Sequence, residues 1–143
     1  MTNQVDKKFI HDFIHKQKLA VLATVDKSNK PEAAVIEFGE TPDLQIIFNT
    51  LAGSSRKYDN LLKNKSVAFA IGWEDNITVQ YEGMAREIKG EEKDKYKKIF
   101  YQKTPDAAKW DSHPEIRYFL VTPSWVRYAD YDGKPYKIIE LNF

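Results

Sequence analysis

Residues 48–58 read Phe48-Asn49-Thr50-Leu51-Ala52-Gly53-Ser54-Ser55-Arg56-Lys57-Tyr58. An apolar stretch, residues 44–49 (LQIIFN), runs into a loop carrying three hydroxyls and a glycine. The loop feeds a short helix, predicted over residues 56–63, that opens with Arg56 and Lys57. A helix N-terminus presents unpaired N–H groups and the positive end of a dipole, which together suit a phosphate. Ser54 or Ser55 can cap the helix, while Arg56 offers a fork of donors and Lys57 a point charge. A plain cap followed by solvated cations also accounts for these residues, so their chemistry alone leaves both readings open.

Outward from this loop, the texture is one of short strands separated by turn residues. Strands are predicted at 19–25 (LAVLATV), 33–38, 44–49, 67–73, 77–87, 117–121, 124–131 and 136–141, with an Asp132-Gly133 hairpin turn before the last. Residues 39–43, with Pro42, read as a turn. Ahead of the strands, Val5, Phe9, Ile10, Phe13 and Ile14 fall on one side of a helix of about three turns. Residues 90–102, rich in Glu, Lys and Tyr, read as an exposed connecting helix, and 104–114 as a loop with two prolines placed to form a rim or lid. Seven or eight strands joined mostly by tight turns predict a mainly β fold, an antiparallel meander or barrel with helices at its rim. Parallel winding needs a helix between most strands, and these connections are too short.

The chain has 143 residues, enough for one domain (1–143) that hides roughly two-thirds of its unfolded surface. Apolar residues at 42% and aromatics at 13% exclude a disordered or low-complexity chain. Lys and Arg number 22 against 21 Asp and Glu, a net charge of +1, so no broad field attracts nucleic acid or an anionic membrane. With no cysteine, disulfides, thiolate catalysis and iron–sulfur clusters are excluded. The longest nearly apolar run, 67–73, is too short to span a bilayer, and the first residues carry no signal-peptide pattern, so a cytoplasmic protein is expected. His11 and His15 lie one helical turn apart but point away from the apolar side, and no third ligand is marked near them. They read as a solvated face, and no metal is expected. Glu91, Glu92 and Asp94 likewise read as a solvated helix face, and no side-chain catalytic constellation is evident.

Taken in order, these segments resemble the FMN-binding split barrels related to pyridoxamine 5'-phosphate oxidase. The likeness begins at Ala23-Thr24-Val25-Asp26, with a polar turn, Pro31 and the strand 34–38 after it. It continues through Ile47-Phe48-Asn49-Thr50, Ser55-Arg56-Lys57 and the strand 78–85 with Gly83. Pro123-Ser124-Trp125-Val126-Arg127-Tyr128 is similar to the short, general-stress-protein-like members. The resemblance covers about residues 5–131 and implies a six-stranded antiparallel Greek-key split barrel that forms a homodimer, with FMN in clefts at the subunit interface. It implies that Ala34, Val35 and Ile36 run along the flavin, and that Asn49 and Thr50 touch the ring or ribityl chain. Ser55, Arg56 and Lys57 hold the phosphate with Ser54 and Thr50 donating, and Thr78 is a further cofactor contact. By position, Trp125 and Arg127 are candidates to complete the partner's pocket, although Trp125 also reads as barrel packing.

The naming oxidase has Arg where this chain has Ala34, Lys where it has Gly39, and an Arg- and His-bearing end that this chain lacks. Those departures argue against authentic pyridoxamine 5'-phosphate oxidase activity. The expectation is an FMN-dependent oxidoreductase acting on an unidentified small molecule. A non-catalytic flavin carrier or stress protein and a deazaflavin (F420)-binding barrel stay open as alternatives.

Overall fold

The structure, a computed structural model, describes residues 4–143. In chain order the elements are α1 (Gln4–His15), β1 (Leu19–Val25), β2 (Pro31–Glu37), β3 (Gly39–Glu40), β4 (Ile46–Leu51) and α2 (Arg56–Lys63). They continue with β5 (Ser66–Ile71), β6 (Ile77–Ile88), α3 (Gly90–Lys103), a 3-10 turn (Pro105–Trp110), β7 (Ile116–Asp130) and β8 (Lys137–Asn142). All strand pairs are antiparallel, in the order β2-β1-β5-β6-β7-β4-β3, with β8 also pairing β7. Among the described residues there are thus eight strands, where the family resemblance implied six.

β2 and β3 stand at opposite ends of that path, yet Phe38 alone separates them in sequence. Consecutive Cα atoms are about 3.8 Å apart, so the two end strands lie within roughly 8 Å at this link. A sheet whose ends are tied so closely must curl, and the right-handed twist of its strands supplies the curl. Period-two patterning fills the interior: Ala20, Leu22 and Thr24 of β1, Ile46 and Phe48 of β4, and Val79 and Tyr81 of β6 are buried. The Tyr81 hydroxyl crosses this core to donate to the Leu44 carbonyl at 2.7 Å. α1 lays Ile10 and Ile14 against the same core.

Several segments differ from their predicted form. β3 lies inside the stretch predicted as a turn, because a two-residue strand shows no periodicity. β4 is displaced two residues toward the C-terminus, since Leu44 takes a left-handed φ of 65° that ends the preceding turn. β7 is one strand of 15 residues, not two. Pro123, which has no N–H to give, is absorbed by a bulge where the β6–β7 register shifts at Glu82/Gly83. α3 is not merely exposed: Phe100 is fully buried in a second cluster with Ile47 and Leu120. Among the described residues no helix is long and apolar enough to cross a membrane.

The link between the sheet ends is also where α3 docks. A Cβ built on Gly39 meets the Phe100 Cα at 2.8 Å, a backbone atom that no rotamer change can move. Gly39→Ala is expected to destabilise the protein by about 1–3 kcal/mol, through displacement of α3 rather than backbone strain. Urea denaturation followed by circular dichroism measures it.

Candidate functional site

The curled sheet leaves a cleft of about 410 Å³ along β2, within the range of small-molecule sites. Val35, Ile36 and Glu37 of β2 line one wall. Three consecutive strand residues point their side chains to alternate faces, so β2 meets the cleft with its backbone edge. Among the described residues that edge is unpaired, since β2 pairs with β1 alone. It offers N–H and C=O groups to a ligand.

The facing wall comes from the end of β4 and the loop into α2, with Asn49, Thr50, Leu51, Ser54, Ser55 and Lys57. The loop is held in shape by backbone bonds from Ser55 N to the Leu51 carbonyl (3.1 Å) and from Ala52 N to the Glu115 carbonyl (2.9 Å). Ser55 occupies the N-cap position of α2 with extended backbone, but its hydroxyl makes no capping bond. The predicted cap is therefore one of position only, which leaves that hydroxyl available.

Two buried polar atoms here make no well-formed hydrogen bond among the described residues. Thr50 Oγ1 is buried and unbonded. Asn49 Nδ2 faces the Tyr101 hydroxyl without reaching hydrogen-bond geometry. A buried donor left unpaired costs about 1–3 kcal/mol, so such atoms are rare in folded proteins and mark where a ligand belongs. Lys57 is half-buried, and desolvation lowers its pKa, with Glu32 pulling the other way. An anion in the cleft would relieve that desolvation. The lining carries two lysines, Lys57 and Lys109, and one carboxylate, Glu37, so it is cationic on balance.

The third wall is the 3-10 turn, through Ala107, Lys109 and Trp110. The sequence marked residues 104–114 as a rim or lid but singled out none of these three as a site residue. The turn is pinned rather than hinged. Thr104 Oγ1 donates to the Phe100 carbonyl at 3.0 Å, Ala107 is buried, and Asp111 accepts from the Tyr118 hydroxyl at 2.6 Å. The Tyr118 hydroxyl bond is the main cause of the lowered Asp111 pKa. The segment is a rim.

Other residues singled out in the sequence lie elsewhere. Arg56, its side chain 85% exposed, turns away from the cleft to Glu32, with Nε 3.3 Å from Oε2. Glu32 also accepts from Asn60 Nδ2 (3.3 Å), which donates to the buried Thr24 hydroxyl (3.0 Å). This network fastens α2 to β1 and β2. Ala34 is half-buried in β2 but does not line the cleft. Thr78, Trp125 and Arg127 lie on the outer face of the sheet, out of step with the core residues Val79, Val126 and Tyr128. Arg127 Nε is buried there without a hydrogen-bond partner, 3.9 Å from Glu140.

Comparison with known proteins agrees with this architecture. The family model described as pyridoxamine 5'-phosphate oxidase matches residues 7–130. No curated protein matches the sequence. Among solved structures, a haem binding protein of Mycobacterium smegmatis superposes with a TM-score of 0.82 at 14% identity, over 95% of this chain and 57% of that one. General Stress Protein 26 of Bacillus anthracis gives 0.71 at 22% identity, over 94% and 98%. The haem storage protein HutZ of Vibrio cholerae gives 0.65 at 16%, over 80% and 87%. At such identities the likeness is one of fold, and the chain spans little more than half the length of the first of these.

The unpaired Thr50 hydroxyl yields a direct expectation. Thr50→Val removes a desolvated, unbonded group and is expected to stabilise the ligand-free protein by about 1 kcal/mol. Equilibrium unfolding in urea tests it, and a loss of stability would show that the hydroxyl has a partner.

Proposed function

This chain belongs to the pyridoxamine 5'-phosphate oxidase family, and we propose that it is a homodimer that binds FMN in the β2 cleft and uses it to oxidise or reduce a small molecule. The observation that carries the flavin reading is the buried, unbonded Thr50 Oγ1 close to the desolvated Lys57 at the start of α2. A hydroxyl, a cation and a helix N-terminus at one end of a cleft suit a phosphate. The free edge of β2, running along the rest, suits a flat heterocycle with donors and acceptors on its rim. When bound, FMN supplies the electron-transfer chemistry. The chain's own part is to neutralise the phosphate with Lys57, bond the ligand through Thr50, Asn49 and Ser55, and exclude water with the pinned rim at Trp110.

Haem is the second ligand the compared proteins raise. Among the described residues that line the cleft there is no His, Tyr, Cys or Met to serve as axial ligand, which favours the flavin. The dimer reading rests on the outer sheet face, where Val35 is 61% and Met84 50% exposed and Ala70 lies between their strands on β5. Trp125 and Arg127 share that face, so pairing two such faces buries apolar area.

Titrating the purified protein with FMN, followed by visible absorbance, is expected to saturate at one FMN per chain. Lys57→Ala should weaken binding tenfold or more, since a charge-assisted bond contributes about 1.5–3 kcal/mol. Unchanged affinity in that variant overturns the site. The lowered Lys57 pKa also fixes a sign. As pH rises, this lysine loses its charge before an ordinary lysine at about 10.4 does, and FMN affinity falls with it. Lys57→Arg, which keeps its charge, should remove that part of the fall. A protein that binds FMN but cannot pass electrons from NAD(P)H to any acceptor is a carrier, and one that ignores FMN for F420 is a deazaflavin protein.

The dimer has its own test. Ala70→Arg places a charge at the centre of the outer face and is expected to convert a dimer to a monomer in light scattering, with the circular dichroism spectrum preserved.

A further inference from the structure

We propose that His11, His15 and Glu40 form a binding site for one divalent transition-metal ion, a site independent of the flavin reading. His11 and His15 stand one turn apart on α1, and their rings stack at 5.8 Å between centroids. The sequence placed this pair on a solvated face with no third ligand. The structure corrects that, because β3 carries Glu40 up to both rings. Glu40 Oε1 lies 2.5 Å from His15 Nδ1 and 3.9 Å from His11 Nε2, and the three ligand atoms all fall within 4.8 Å of one another.

Ligand bonds of about 2.0–2.1 Å hold neighbouring ligand atoms roughly 3.3 Å apart around a tetrahedral ion. Reaching that spacing lengthens the His15–Glu40 distance by about 0.8 Å, shortens the His11–Glu40 distance by about 0.6 Å, and closes a His11–His15 separation of at most 4.8 Å. The His15 side chain is 61% exposed on the last turn of α1 and has room to move. Glu40 is fixed: its side chain is 1% exposed and its other oxygen accepts from Lys103 Nζ at 2.6 Å. His11 turns its remaining nitrogen, Nδ1, toward Asp12 Oδ1 at 3.7 Å, the outer carboxylate that commonly orients a metal-bound imidazole. Two imidazoles and one carboxylate suit zinc, cobalt or nickel rather than calcium or magnesium. Three protein ligands leave one tetrahedral position open on the exposed His15 side.

The test is calorimetric titration of the full chain, freed of any affinity tag, with Zn²⁺, together with Co²⁺ titration read in the visible d–d bands. One ion per chain is expected, with tetrahedral cobalt bands. His15→Ala should weaken binding at least tenfold, while His113→Ala, away from the cluster, leaves it unchanged. His15→Ala removes an exposed side chain and leaves Glu40 its bond to Lys103, so with circular dichroism confirming its fold it carries the test even if Glu40→Gln unfolds the protein. Absence of saturable binding, or equal binding by the His11→Ala and His15→Ala variants and the parent, overturns the site and leaves His15–Glu40–Lys103 as an ion-pair network only.

Discussion

The structure depends on a covalent constraint: the two strands that end the sheet are joined through one residue. Phe38 cannot lengthen, so whatever the strands between do, they must bring the edge of β2 back to β3. The link is correspondingly well protected. Phe38 is fully buried, with Lys103 Nζ 3.6 Å from its ring centroid, a cation–π contact made at the end of α3. The same lysine binds Glu40 and the Ile14 carbonyl, so α1, α3 and β3 converge there. A buried ion pair of this kind is costly to break one partner at a time.

The cleft follows from the same constraint. A sheet curled by a tie at one point stays open along the rest of the seam, and the opening lies between a bare strand edge and the loop that begins α2. The protein fills the gap with a pinned turn on one side and leaves the other polar. The Asn60–Glu32–Arg56 network serves this geometry indirectly. By holding Arg56 on Glu32, it leaves Lys57 as the cation from the start of α2 that faces the cleft, and the price is a lysine part-way out of water.

Much of this was legible in the sequence. β1 and α2 run as predicted, since LAVLATV is an apolar run that ends at the turn residues 26–30 and Ser55 precedes the helix at its N-cap. Val35, Ile36, Asn49, Thr50, Ser54, Ser55 and Lys57, singled out through the family resemblance, line one cleft. What could not be read are contacts across the fold. Glu40 lies 25 residues from His15, inside a stretch whose Gly-Glu-Thr-Pro composition signals only a turn. The 3-10 rim has no periodicity, and the direction of Arg56 is set by Glu32, 24 positions back on another strand. Pro123 gave a strand break because the bulge that absorbs it is shared with β6, and a sequence read in one line cannot show a partner strand.

β7 carries a different consequence. Its first half pairs β4 and its second half pairs β8, while β6 runs along nearly its whole length. Because it begins only at residue 116, β4 waits through the synthesis of more than sixty residues with nothing but the two-residue β3 beside it. During translation that strand, IIFNTL, is an apolar edge without a neighbour, the kind of segment that recruits other chains. The segment from residue 116 onward thus shields a strand made more than sixty residues earlier, and a ribosome stalled before residue 116 would release a chain prone to aggregate.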